Sequence, residues 1–205
     1  SVLRTSLLPG ICKVLAYNAS HRNPDVSVFE LGHVFNRPAD PTAELPDERE
    51  RLAAAVGGAE APAAVAVWRS LADLFHVEHE VVNAAVPGLH PSRAATLHVQ
   101  GRVVGAVGEI DPDVLAAFEV PGRVAWLDLD LTTLLSLRHG AEAYQPVRLY
   151  PSSDLDLAFE LDDDTPAAAV PPLLRAAAGD LLVDLELFDV FGGGSVPEGR
   201  RSLAY

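Results

Sequence analysis

The sequence predicts an α+β protein with antiparallel sheets, and three observations carry the prediction. Apolar residues repeat with a period of two in several short runs and at helical spacing in others. The two kinds of run do not alternate regularly, as a doubly wound parallel sheet would require. A two-residue turn signal, Gly101-Arg102, separates the runs 96–100 and 103–109, the arrangement of an antiparallel hairpin. Beyond residues 140–146 the pattern restarts as strand, helix, strand, strand. With 205 residues, 49% of them hydrophobic, there is apolar material for one large domain or two small ones. The predicted division is 1–140 and 146–205.

In the first region a helix starts near Leu8. Thr5 or Ser6 caps it, and Pro9 suits the first turn, where a missing N–H leaves nothing unpaired. Leu8, Ile11, Cys12, Leu15 and Ala16 form one apolar face, and Pro24 ends the helix by biasing Asn23 away from it. Residues 26–35 read as a strand, with Phe29, Leu31, His33 and Phe35 on one face and Val28 and Glu30 on the other. A loop covers 38–46, and 52–56 is a short apolar strand closed by Gly57-Gly58. Trp68, Leu71, Ala72 and Phe75 predict a helix. After the hairpin, Asp111-Pro112 opens a short helix carrying Val114, Leu115 and Phe118. Residues 124–131 return to a strand, with Trp126 and Asp128 alternating against Leu127 and Leu129.

The second region reads as a strand at 155–161, a helix at 166–178, a strand at 181–191, a glycine turn and a strand at 200–205. Pro166 sits at the helix start and Gly179 just past its end; Pro171-Pro172 inside it predicts a bend or interruption. Val183, Leu185 and Leu187 alternate with Asp184 and Glu186, which places the three on one buried face. Val170, Leu173, Leu174 and Ala177 are the helical residues expected to cover that face. Strand–helix–strand–strand is three quarters of a ferredoxin-like βαββαβ unit. A further helix and strand would complete its cover and its edge. The sequence has no Met and stops inside an apolar run, Ser202-Leu-Ala-Tyr205, so it is expected to be a piece of a longer chain.

Composition excludes several classes. The net charge is −14, whereas an autonomous nucleic-acid-binding domain presents a basic face. Residues 145–205 hold four arginines against eleven acids, so any RNA contact there must be local. No run approaches the roughly 18 apolar residues of a membrane span. Ser1-Val-Leu-Arg4 lacks the pattern of a secretory leader, and the expected setting is cytoplasmic. A single cysteine excludes an internal disulfide and a cysteine-based zinc site.

Three superficial motifs fail on spacing. His76-Val-Glu-His79, with Glu80 and His90 nearby, lacks the His-Glu-x-x-His order that puts two ligands on one helical face. Gly101, Gly105 and Gly108 lie in and between two strands, whereas a dinucleotide loop must join a strand to a helix so that N–H groups face the pyrophosphate. Gly192-Gly-Gly-Ser195 has neither a P-loop lysine nor the last glycine of a nucleophile elbow, and reads as a turn.

Five phrases in fixed order say more. They are Ser1-Val-Leu-Arg-Thr-Ser-Leu-Leu-Pro-Gly10, Phe29-Glu-Leu-Gly-His-Val-Phe35, His90-Pro-Ser-Arg-Ala-Ala95, Val104-Gly-Ala-Val-Gly-Glu-Ile-Asp-Pro112, and the run from Leu187 through Asp189-Val-Phe-Gly192 to Tyr205. Together they resemble the C-terminal part of the bacterial phenylalanyl-tRNA synthetase beta chain. Ser92 and Asp111 depart from a usual Gly and His, Asp154-Leu155 lacks a preceding arginine-rich pair, and 57–87 is short. The resemblance implies an antiparallel class II synthetase-like, non-catalytic core at 1–140 and a truncated ferredoxin-fold anticodon-binding domain at 146–205. It implies an alpha chain as partner, in a heterotetramer of two alpha and two beta chains, and tRNA. ATP and magnesium belong to the full enzyme, with no cofactor, metal ligand or catalytic residue expected in this segment.

Adenylate formation needs fixed positive charge on the phosphates. The class II pattern supplies an arginine in a strand where residues 26–35 offer Glu30 and no arginine. Arg4 is expected in an interface or a buried ion pair. Single-stranded RNA is read by aromatic stacking, arginine planes and hydrogen bonds to base edges. The tRNA-binding candidates are therefore Arg148, Tyr150, Ser152, Arg200 and Arg201, with Ser153 beside them. A plainer role for Arg200 and Arg201 is to offset Asp189 and Glu198 across a hairpin. The alternative to the whole reading is a stand-alone acidic α+β protein-interaction module with no RNA role.

Overall fold

The computed structural model describes residues 2–40, 42–137, 151–194 and 196–205. The boundary expected at 140–146 lies outside them. The chain divides into two compact units, Ser1–Ala143 and Tyr144–Tyr205.

The first unit is one antiparallel six-stranded sheet in the order β1-β2-β6-β5-β4-β3. Its strands are β1 (Ser27–Asn36), β2 (Asp47–Gly57), β3 (His79–Asn83), β4 (Leu89–Val99), β5 (Arg102–Ile110) and β6 (Val124–Asp130). Its helices are α1 (Leu8–Ser20), α2 (Ala61–Leu74), α3 (Pro112–Ala117) and α4 (Leu131–Ser136). Because side chains alternate along each strand, the sheet buries two separate cores. On one face Ala53, Ala55, Val124 and Trp126 pack under Ile11, Cys12 and Leu15 of α1 and Leu115 of α3. On the other, Leu97, Val107, Leu127 and Leu129 pack under Trp68 and Ala72 of α2 and Leu134 of α4. β6 lies inside the sheet with both faces covered, which is why Val124, Ala125, Trp126 and Leu127 are all buried in succession.

Several expectations are corrected. β2 starts at Asp47, five residues before the expected apolar run, because Asp47, Arg49 and Arg51 continue the alternation and pair along β1. The hairpin turn is Gln100-Gly101, one residue earlier than expected. Val99 pairs with Arg102, and both turn residues have positive φ, 51° and 74°, as a type I′ turn demands. β3 and α4 were not anticipated; β3 is a short edge strand, and α4 is opened by Asp130, whose carboxylate accepts from Thr133 N at 2.9 Å. The expected cap is corrected: Leu7, not Thr5 or Ser6, is the N-cap of α1 and has no side-chain cap, while Ser6 Oγ accepts from Leu8 N at 3.1 Å one residue earlier. On β1 the inward face is that of Val28 and Val34, while Phe29 (73% exposed) and Leu31 (55%) stand outside the cover of α2, which rests on β5 and β6.

The second unit has strands β7 (Ala158–Asp162), β8 (Asp189–Gly192) and β9 (Arg200–Ala204), all antiparallel in the order β7-β9-β8, with helix α5 (Val170–Ala178). That order is the one expected for a βαββ portion of a ferredoxin-like unit. A 3₁₀ turn, Ala167–Ala169, precedes α5, and Pro171 and Pro172 fall in the first helical turn, so they open the helix where an interruption was expected. The strand expected at 181–191 shrinks to β8, because β9 is short and its ladder with β8 runs only from Asp189↔Ala204 to Gly192↔Arg201. Val183 is 62% exposed, so the three-residue buried face reduces to Leu185 and Leu187. Leu173 is 70% exposed and Ala177 is also exposed; only Val170 and Leu174 of the expected helical face reach the core of Leu203, Tyr205, Phe159 and Leu161.

Candidate functional site

The face of the first sheet that carries α1 is apolar for only part of its length. Continuing from Ala53 and Trp126 on the same side, β2 and β6 present Arg51, Arg49, Asp128 and Asp130. Arg51 Nε lies 2.8 Å from Asp128 Oδ1, and Arg49 lies 3.0 Å from Asp47 and 3.9 Å from Asp130. From the chain start, Arg4 crosses β1. Its Nε donates to the His33 carbonyl at 2.7 Å and its Nη1 to Glu30 Oε1 at 2.5 Å. Gly32 permits this crossing, since a Cβ there would collide with the guanidinium. Arg4 is thus in an ion pair that remains largely exposed, not a buried one.

Each of these three arginines is neutralised where it stands. Stabilising a phosphoryl group requires positive charge that is fixed and uncommitted. The donor set of this face does not fit a nucleoside triphosphate. Among the described residues no three His, Cys, Asp or Glu side chains converge as metal ligands. His76 terminates α2, His79 packs edge-on against Trp68 at a ring separation of 5.3 Å, and His90 Nδ1 accepts from Ser92 N at 3.2 Å.

Two of the sequence phrases meet through a buried carboxylate. Glu109, 2% exposed, lies 2.9 Å from Arg93 Nε and 3.9 Å from Arg123 Nε. Its Oε1 also accepts from Ala61 N at 3.4 Å, at the start of α2. The arginine of His90-Pro-Ser-Arg93 and the glutamate of Gly108-Glu-Ile-Asp-Pro112 are partners in the fold. A buried charge of this kind is retained only when paired.

The second unit has one covered and one open sheet face. Leu203, Phe159 and Leu161 point toward α5; Arg200, Ser202, Glu160, Asp162, Asp189 and Phe191 point away from it, as the pairings Asp162↔Arg200, Glu160↔Ser202 and Phe191↔Ser202 require. Arg200 lies on this open face. Its Nη2 donates to the Glu160 carbonyl at 2.9 Å, and its charge is shared with Glu160 at 3.7 Å and Asp162 at 3.5 Å. These partners are on β7, not the Asp189 and Glu198 expected across the hairpin. Arg201 is on the helix side and donates from Nη2 to the Thr165 carbonyl at 2.6 Å. Ser152 and Ser153 are exposed and outside the strands, and Arg148 and Tyr150 lie outside the described residues.

Sequence reasoning missed Phe191. It is 48% exposed beside Ser202, and a side chain added at Gly194 would come up against its ring. The alternation Asp189-Val-Phe191 next to a glycine turn was the available signal. An exposed ring flanked by a hydroxyl and carboxylates can stack on a base and accept from its amino and imino groups. One arginine against three carboxylates cannot act as a phosphate cradle.

Comparison with known proteins agrees with this division. The model of the phenylalanyl tRNA synthetase beta chain CLM domain matches residues 1–131, and that of the ferredoxin-fold anticodon binding domain matches 149–205. The chain is similar over its whole length to phenylalanine–tRNA ligase beta subunits. It is 40% identical to that of Moorella thermoacetica, 39% to that of Symbiobacterium thermophilum and 33% to that of Lactiplantibacillus plantarum, covering 27%, 24% and 27% of them. The chain therefore spans about a quarter of the length of these relatives. With a family model matching well over half of its residues, the chain belongs to the phenylalanyl tRNA synthetase beta chain family.

Proposed function

We propose that this chain is the beta-chain segment of a phenylalanine–tRNA ligase that scaffolds a catalytic alpha chain and contributes to tRNA binding, in the cytoplasm. The observation that carries the reading is the face of the second sheet turned away from α5, where Phe191, about half exposed, stands with Ser202 and Arg200. Arg200 is its RNA-facing cation, and Ser152, with Arg148 and Tyr150 close to it in sequence, completes the proposed set of tRNA-binding residues. Arg201 serves from the other side of the sheet.

ATP and magnesium act in the full enzyme, on the alpha chain. The pairing of Arg4, Arg49 and Arg51 with carboxylates supports that assignment, because it leaves none of these three arginines uncommitted for the phosphates. The proposed partner surfaces are the apolar pair Phe29 and Leu31 on one side of the edge strand and Val14 and Tyr17, exposed on α1, on the other. The assembly would hold two alpha and two beta chains.

The test uses the assembled ligase carrying Phe191→Ala and Arg200→Ala. Apparent tRNA affinity should fall while phenylalanine-dependent ATP–pyrophosphate exchange stays intact. The chain by itself should give no exchange; exchange by a preparation free of alpha chain, or unchanged tRNA affinity in the double variant, would reject the proposal.

A further inference from the structure

β9 carries two sets of side chains with different duties. Arg200 and Ser202 face the open side, while Arg201, Leu203 and Tyr205 face α5. Two of the helix-side residues end in hydrogen-bond donors, and both reach the same short connection between β7 and α5. Arg201 Nη2 donates to the Thr165 carbonyl at 2.6 Å, and Tyr205 Oη donates to the Ala167 carbonyl at 3.0 Å. Leu203, fully buried, sits between them. Thr165 and Ala167 bracket Pro166, which has no N–H; besides the backbone bonds from Asp163 N to Gly199 O and from Thr165 N to Asp162 O, the connection is held by these two carbonyls accepting from β9. Burial pushes the Tyr205 hydroxyl pKa up, and the nearby Arg201 charge opposes that rise, as expected for two groups held side by side.

We propose that Arg201 and Tyr205 form a two-point clamp that fixes β9 in rotation and register from behind, and so positions Arg200 and Ser202 on the RNA-facing side. They are positioning residues, and the inference rests on the reading of the open face as a tRNA contact. The physical case is the alternation of the strand. A rotation of β9 that moved Arg201 off Thr165 would carry the adjacent Arg200 and Ser202 with it, since successive side chains are locked to opposite faces. Arg200 has a second restraint, its bond to the Glu160 carbonyl, whereas the side chain of Ser202 has no such tie among the described residues.

A contact and a clamp differ in salt dependence. An arginine on a phosphate contributes about −0.7 to the slope of log affinity against log salt on single-stranded RNA, and a residue that never touches phosphate contributes nothing. In the assembled ligase, Arg201→Met and Tyr205→Phe should each raise the KM for tRNA about threefold to tenfold, the range one ordered hydrogen bond represents. They should leave kcat, phenylalanine-dependent exchange and the salt slope unchanged. Arg201→Lys, which can still donate to Thr165, should restore KM. Leu174→Ala, which loosens α5 in the same core without touching either carbonyl, should lower thermal stability and leave KM alone.

If Arg201→Met flattens the salt slope, the residue contacts RNA directly and the clamp is rejected. It is equally rejected if Arg201→Met and Tyr205→Phe leave KM unchanged while Arg200→Met raises it, or if Leu174→Ala raises KM in proportion to lost stability. If Arg200→Met changes neither KM nor slope, the open face is not a tRNA contact, and the clamp falls with it.

Discussion

Arg22, His76, Gln100 and Glu119 hold left-handed backbone conformations, with φ between 51° and 64°. Gln100 belongs to the hairpin turn. The other three occupy the same place in three different helices. Arg22 N donates to Ala19 O and Asn23 N to Asn18 O; His76 N donates to Asp73 O and Val77 N to Ala72 O; Glu119 N donates to Ala116 O and Val120 N to Leu115 O. Each is the paired bond pattern of a Schellman stop, at the position glycine usually fills. A side chain there costs about 1–2 kcal/mol, of which glycine recovers part after its own larger loss of unfolded-state freedom. Arg22→Gly, His76→Gly and Glu119→Gly should therefore each stabilise the protein by about 0.5–1 kcal/mol in denaturant titrations. Lower midpoints would mean these side chains contribute contacts that outweigh the strain. The absence of glycine is also why the ends of α1 and α2 were not legible in the sequence, which offered only Pro24.

Two titratable groups add expectations at the same scale. Cys12 is buried on the sheet-facing side of α1, and burial pushes its thiol up to about 11, so it should resist a disulfide reagent at pH 8 until the protein is unfolded. Fast labelling of the native protein would contradict its place in the core. Burial against Trp68 is the largest cause lowering the His79 pKa below its ordinary 6.5, and Arg69 adds to it; a bond to Val77 and the charge of Asp73 oppose it. The folded state favours the neutral ring, so this contribution to stability is present above pH 6.5 and is lost as pH falls from 6.5 through the lower folded value. His79→Phe should lose less stability than the parent between pH 7.5 and 5. An equal loss in both would remove His79 as the cause.

The elements show where pattern reading works. Period-two runs and helical faces gave β1, β5, β6, α1, α2, α3 and β9, because each carries apolar residues at strand or helix spacing. β3 was missed because an exposed edge strand has no apolar stripe to advertise it, and the first half of β2 because its alternating residues are charged. Phe29 and Leu31 were recognised as one face, yet their exposure depends on where α2 settles, which no local signal encodes. The open face was half legible for a similar reason. Arg200 is plain in the sequence, but its carboxylate partners and the neighbouring ring come from strand order. In α5 the two prolines take first-turn positions, where no N–H is needed and fixed φ restrains the unfolded chain. Pro171→Ala should accordingly lower stability by a few tenths of a kcal/mol up to about 1 kcal/mol. A gain in helicity and stability would indicate that the pair interrupts a longer helix after all. Trp68→Ala, in contrast, removes the largest fully buried side chain and should cost about 3–5 kcal/mol.

At the scale of the whole molecule, charge limits how it can meet RNA. The chain carries −14, and the open face of its second sheet sets Arg200 against Glu160, Asp162 and Asp189. A protein that grips a backbone through six to ten phosphates loses about 10³–10⁵ in affinity between 50 and 200 mM salt. Arg200 can neutralise one phosphate at most, and only by loosening its bonds to β7. Salt also screens the repulsion between an acidic protein and RNA, which offsets part of the lost attraction. We therefore expect the isolated chain to bind tRNA weakly, with a slope of log affinity against log salt between 0 and about −1, the value for a single contact. Stacking on Phe191 survives salt, so Phe191→Ala should weaken binding by a similar factor at 50 and at 200 mM. A slope steeper than about −3 in filter binding would mean that a basic surface outside the open face dominates, and the assignment of RNA contact to Phe191, Ser202 and Arg200 would fail.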